Sequence, residues 1–171
     1  MDKRSFMRYV AAGALVSVSP AGYSQQLPAR SVRHSLSGTD GEGKPVTLDD
    51  FSGKACLVSF FTAGCNLCTN DLKLMREFYL NNKKRNFVLI GVNIDENRND
   101  YMQYIRLISL SIPKEERFPV LWRNAPSHRD DFGKIRTMPM HFVLDKEHRE
   151  VFQRAGSFRP SDWDDLWSNL D

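Results

Sequence analysis

Cysteine is scarce in this chain, with three among 171 residues. A disulfide-stapled scaffold uses many more, and a chain of this length buries a core without cross-links. No apolar run approaches the roughly 20 residues that cross a bilayer. Charge of one sign is not in excess either, since 24 Lys and Arg stand against 21 Asp and Glu, a formal +3. With no basic stripe interleaved with aromatics, that balance argues against a nucleic-acid partner. Internal repeats and low-complexity segments are absent. At 41% hydrophobic and 26% charged, the chain reads as one ordinary globular domain.

Its first residues read as an address. "MDKRSFMRYV" is basic, "YVAAGALVSV" (Tyr9 to Val18) is apolar, and small residues Gly22 and Ser24 follow where cleavage needs them. That order is the secretory pattern, with an uncleaved anchor as the alternative. "KRSFMR" is also similar to a twin-arginine signal with Lys3 in place of the first arginine. We therefore expect a signal peptide over 1–24, a linker over 25–31 and one domain over 32–171. Losing Lys3, Arg4, Arg8 and Asp2 brings the formal charge from +3 to +1.

Within the domain, turn clusters at Gly38–Gly41 and Gly43–Pro45 separate short alternating segments, which predicts a β-hairpin. "ACLVSFF" (Ala55 to Phe61) is a continuous apolar run, as a strand buried on both faces requires. Leu72, Met75, Phe78 and Tyr79 recur at helical spacing after it, and basic residues near 84 mark that helix's end. "NFVLIGVNID" predicts a second buried strand, with Asp95 and Glu96 expected to cap the next helix. Tyr101, Tyr104, Ile105 and Ile108 form that helix's stripe. "FPVLW" is a short apolar segment, "MHFVLD" a third strand, and the tetrad Asp145 to His148 turns it into "REVFQRAG". The last helix is expected to open on a Ser161–Asp164 capping box and to bury Trp163, Leu166, Trp167 and Leu170. Strands alternating with helices give an α/β domain with parallel pairing, closed by an antiparallel hairpin.

The chemistry concentrates in "FTAGCNLCTN", which holds Cys65 and Cys68. Zinc knuckles and redox dithiols share the C-x-x-C spacing. A structural zinc site needs four ligands, and the remaining candidates Cys56, His34, His128, His141 and His148 supply no second pair. Cys65 directly follows a buried strand and opens a helix, where unpaired N–H groups and the helix dipole favour a thiolate. Sites of this kind bring a thiol from about 8.5 into the range of roughly 3.5–7.5. Cys68 lies one turn further in, placed to resolve a mixed disulfide formed at Cys65. We take Cys65 and Cys68 as the catalytic pair, with no cofactor, since the dithiol itself carries the electrons.

"GKACLVSFFTAGCNLC" resembles the strand-to-helix junction of the thioredoxin superfamily. "LIGVNIDEN", "FPVL" and "TMPMHFVLDKEHREV" resemble its exported TlpA/ResA-like thiol-disulfide branch, in family order from about Leu36 to Leu170. The resemblance implies a thioredoxin-like α/β fold, a central mixed sheet flanked by helices, with the hairpin as an N-terminal extension. It implies a cis peptide bond at Pro139 and, at Met138, a backbone that pairs with a substrate strand. It implies a periplasmic oxidoreductase acting as a reductant, with cytochrome c maturation as a setting. Its partners would be a cysteine-containing substrate protein and an upstream, membrane-embedded thiol-disulfide protein, with the chain itself a monomer.

The sequence departs from the family pattern in four ways. Gly64 stands where tryptophan usually precedes the first cysteine, and Asn66-Leu67 replace the proline often found between the cysteines. Ser59 occupies the place of a buried acid, and Lys73 that of a helix-kinking proline. Cys56 is expected to be a small buried hydrophobe. His141 either lies near the sulfurs or points away. Two rival readings remain at this point. A Sco-like copper chaperone would use both thiolates and an imidazole for Cu(I), although its cysteines are spaced more widely. A peroxiredoxin-like peroxidase would use Thr62, three residues before Cys65, although Val58 stands where its proline belongs.

Overall fold

The computed structural model describes residues 32–170. The expected signal segment and linker lie outside the described residues. Two strands, β1 (Leu36–Thr39) and β2 (Pro45–Thr47), make the predicted hairpin. Its turn is held by the Asp40 carboxylate, which accepts the Glu42 and Lys44 N–H groups. Five further strands form the main sheet: β3 (Ala55–Phe61), β4 (Phe87–Asn93), β5 (Val120–Trp122), β7 (Met140–Leu144) and β8 (Glu150–Ala155). Their spatial order is β5-β4-β3-β7-β8. β3, β4 and β5 run parallel, while β7 and β8 run antiparallel to their neighbours, so the sheet is mixed.

The α-helices among the described residues are α1 (Asn66–Asn82), α2 (Arg98–Ser111) and α3 (Pro160–Ser168). None of the described helices is long and apolar enough to cross a membrane. All seven residues of β3 and of β4 are buried, as a strand covered on both faces must be. Their side chains alternate between two cores. Ala55, Leu57 and Phe61 join Leu72 and Met75 of α1, Tyr101 of α2 and Leu166 of α3. Cys56, Val58 and Phe60 join Leu36 and Val46 of the hairpin, with Phe142 of β7. Gly38 permits the hairpin's approach to the main sheet, because a Cβ there would stand 2.5 Å from the Leu121 side chain.

Several expectations need correction. The helix after β4 is capped by Asn97, whose side chain accepts the Asn99 N–H, and not by Asp95 or Glu96. Asp95 faces the other way, toward Ala63. The last helix starts one residue before Ser161: Pro160 takes the first position and the Asp162 carboxylate accepts the Arg159 N–H. The fixed φ of proline suits that first turn, which displaces the Ser161–Asp164 box. Trp167 is 46% exposed; only Leu166 and Leu170 of the four expected residues are fully buried, with Trp163 packed at the margin. Trp167 instead lies under the Arg85 guanidinium, 5.0 Å from its ring centre. Two strands go beyond the expectation: the apolar segment "FPVLW" supplies β5, and a further strand was not foreseen in any form. β6 (Arg129–Asp130) pairs with β1 and completes a small three-stranded sheet.

Candidate active site

The end of β3 carries the chain into the loop Thr62–Gly64, and Cys65 caps α1 with extended backbone angles. The loop is fixed from two sides. Cys65 donates its N–H to the Thr62 carbonyl, and Ala63 donates its N–H to the Asp95 carboxylate at 2.8 Å. Asn93, the last residue of β4, donates its side-chain amide to the same Asp95 oxygen. Asp95 thus fastens the cysteine-bearing loop to the neighbouring strand.

Cys65 and Cys68 are joined in a disulfide, with Cα atoms 5.2 Å apart. The two sulfurs are unequal. Cys65 is half-buried, whereas Cys68 is 1% exposed within the core beneath α1. The Cys68 N–H points at Cys65 Sγ, 3.1 Å away. A helix N-terminus therefore already directs a donor at the accessible sulfur, where negative charge would develop if the bond opened.

The Met138–Pro139 peptide bond is cis, as the resemblance implied. It immediately precedes β7, whose first residue Met140 lies opposite Phe60 of β3. Because β3 and β7 are antiparallel, the start of β7 and the end of β3 lie at the same edge of the sheet. Pro139 is buried, its carbonyl accepting the Gly156 N–H, and Met138 is half-buried against the core cluster that Cys65 also touches.

His141, two residues on, is fully buried, and its Nε2 lies 3.2 Å from the Asp71 carboxylate of α1. Asp71 also accepts the Phe158 N–H. Ser59 pairs with His141 across the sheet, and neither the Ser59 hydroxyl nor His141 Nδ1 has a hydrogen-bond partner. The sequence reading missed Asp71. Its signal was an acid placed among Cys68, Leu72 and Met75 on the buried face of α1. Cys56 is fully buried on the opposite core, and burial pushes its thiol up to about 12, which leaves it unreactive.

The features asked for by the rival readings are arranged otherwise. The His141 imidazole is directed at Asp71, and among the described residues no group of three or more His, Cys, Asp or Glu side chains converges as a metal site. Thr62 meets Cys65 through its carbonyl. A surface cleft of about 940 Å³ lies between the hairpin and the α2–β5 connection, and no residue of the disulfide loop lines it. A smaller one, about 470 Å³, borders that loop at Ala63 and Gly64.

Known proteins can be set against this geometry. The thiol-disulfide oxidoreductase ResA of Bacillus thuringiensis is 26% identical over 118 residues, 69% of this chain. The matched stretch spans 64% of that relative's own length. The crystal structure of a thiol:disulfide interchange protein of the thioredoxin family from Chlorobium tepidum superposes with a TM-score of 0.67 at 22% identity, covering 85% of this chain and all of that one. The thioredoxin domain of a thiol-disulfide oxidoreductase from Bacteroides vulgatus superposes at 0.57 with 25% identity, covering 83% and 94%. The fold is thioredoxin-like. Residues 25–152, well over half of the sequence, match the AhpC/TSA family, and the chain belongs to that family.

Proposed function

We propose that this chain is a periplasmic thiol-disulfide oxidoreductase whose Cys65–Cys68 couple reduces disulfides of partner proteins. The observation that carries the reading is the disulfide at the start of α1, one sulfur accessible and the other buried. The structure corresponds to the oxidised form. In each cycle an upstream dithiol protein, membrane-embedded in this reading, attacks Cys65 and releases Cys68 as a thiolate. Its second thiol then breaks the mixed disulfide, so two electrons and two protons enter the Cys65–Cys68 pair.

The reduced protein runs the same chemistry outward. The Cys65 thiolate attacks a substrate disulfide, a Cys65–substrate bond forms, and the displaced substrate sulfur takes up a proton. Cys68 then loses its proton and attacks Cys65 Sγ, which re-forms the internal disulfide and frees the second substrate thiol. The α1 N-terminus favours the anionic state of Cys65 through the Cys68 N–H and the helix dipole. Met138 and Pro139, at the same sheet edge, would present an extended backbone against which the substrate segment lies. No cofactor is required.

The basic, apolar and small-residue order of residues 1–24 supports export. The cysteine pair of a c-type cytochrome before haem attachment is the substrate setting we adopt, and the protein is taken to act as a monomer. Insulin reduction with dithiothreitol tests the activity. It should proceed with the wild type and fall to background in Cys65→Ser. Equilibration against a glutathione buffer tests the direction, since a reductant's couple should lie with the strongly reducing dithiols. A couple that stays mostly reduced in an oxidising buffer would count against it.

A further inference from the structure

The 470 Å³ cleft beside Cys65 has Ala63 and Gly64 on one side. Asp95, which holds Ala63, and Asp100, Gln103, Tyr104 and Leu107 of α2 complete its lining. A volume of that order is typical of a binding pocket. Nothing local demands glycine at position 64. Its φ is outside the left-handed region that Gly43, Gly53, Gly133 and Gly156 adopt, and an added Cβ would meet nothing within 4 Å. The effect of glycine here is to leave the mouth of the cleft open, one residue from the accessible sulfur.

The lining has two characters. Tyr104 and Leu107, three residues apart on α2, give an apolar wall, and Leu107 is left 57% exposed. Asp95 and Asp100 give two carboxylates. Asp95 is held by neutral donors, and among the described residues neither carboxylate forms an ion pair. Arg76, whose charge acts on Tyr104, is placed over the Phe118 ring instead. A carboxylate in the first turn of α2 suits the helix dipole. The dipole does not account for an uncovered leucine beside it.

We propose that this cleft selects partner polypeptides bearing a lysine or arginine next to the exchanging cysteine. The methylene stem of such a side chain lies along Tyr104 and Leu107 while its cation reaches Asp100 and Asp95, which matches its own division into apolar stem and charged head. This rests on Cys65 being the exchanging thiol and adds the substrate feature it recognises.

The test uses the full, reduced protein and three disulfide-bonded peptides, identical except for Lys, Ser or Glu beside the cysteine. The wild type should exchange with the Lys peptide faster than with the Glu peptide by about fivefold, the ceiling for an ion pair at an exposed site, and added salt should shrink the ratio. Asp100→Lys should invert the ranking, Asp100→Asn should flatten it, and Gly64→Trp should blunt it by filling the mouth. Equal rates for all three peptides, or a lysine preference that survives Asp100→Lys, overturn the inference alone, provided dithiothreitol still exchanges with the protein. If neither peptides nor dithiothreitol exchange, the thiol-disulfide reading falls and takes the inference with it.

Discussion

His141 Nε2 and an Asp71 carboxylate oxygen meet at 3.2 Å in the interior, although 70 residues separate them in sequence. Asp71 belongs to α1, which carries the disulfide, and His141 to β7, which begins beside the cis Met138–Pro139 bond. Asp71 also holds the Phe158 N–H from the segment leading into α3. The pair therefore joins the helix with the sulfurs to the strand with the proline, and fixes their spacing from within.

Asp71→Ala should destabilise the fold strongly. It strips the buried His141 ring and the part-buried Phe158 N–H of their acceptor, and leaving a buried polar group unpaired costs about 1–3 kcal/mol. Urea unfolding of the oxidised protein measures it. A loss below about 1 kcal/mol would mean that the pair does not anchor these elements.

Acid should weaken the fold through Asp130. Burial by itself would raise this carboxyl, but hydrogen bonds from His128 and Arg123 outweigh it and bring it from 3.8 down to about 2. The folded value is the lower one, so folding favours the ionised form. That contribution is complete above pH 4 or so and disappears as pH falls toward about 2; it is worth roughly 2 kcal/mol. Asp130→Asn should be less stable than wild type near neutrality, and the gap should close in acid. A constant gap between the two urea midpoints across that range would refute this.

In the reduced, folded protein Cys56 should resist alkylation under conditions where Cys65 is consumed. Its thiol is fully buried and raised to about 12, so it reacts only after unfolding. Mass spectrometry with and without denaturant counts the labelled sites. Rapid labelling of Cys56 in native buffer is the contrary result.

Cys68→Ser should trap partners. Without the buried resolving sulfur, the Cys65–substrate disulfide persists and appears on a non-reducing gel as an adduct that dithiothreitol dissolves. If this variant instead consumes peroxide at the wild-type rate without forming adducts, a peroxidase is the better description. Tight Cu(I) binding by the wild type with no turnover favours a copper chaperone.

Much of the framework was readable from local pattern. β3 and β4 declared themselves as unbroken apolar runs, and α1 by its stripe from Leu72 to Tyr79. The features missed depend on partners far along the chain. Asp71 looks like an ordinary helix residue until His141 and Phe158 meet it, 70 and 87 positions later. β6 is two polar residues with no periodicity, set in place by its pairing with β1 and by the Arg123 and His128 contacts to Asp130. Asp95 and Asn97 are both capable caps, and the sequence could not show that Ala63 would claim Asp95 first. Trp167 fits an apolar stripe on paper, but α3 is only nine residues long and meets the core at Leu166, with Leu170 buried just beyond its end.

An odd thiol is a hazard beside a disulfide, because any third cysteine within reach invites a wrong pairing. The alternation of β3 places that odd residue, Cys56, among Leu36, Val46 and Phe142, behind the N-terminal hairpin. The hairpin thus serves as a wall as much as an ornament: while it stays seated, Cys65 and Cys68 are the cysteines on offer, and scrambling has no third hand to play.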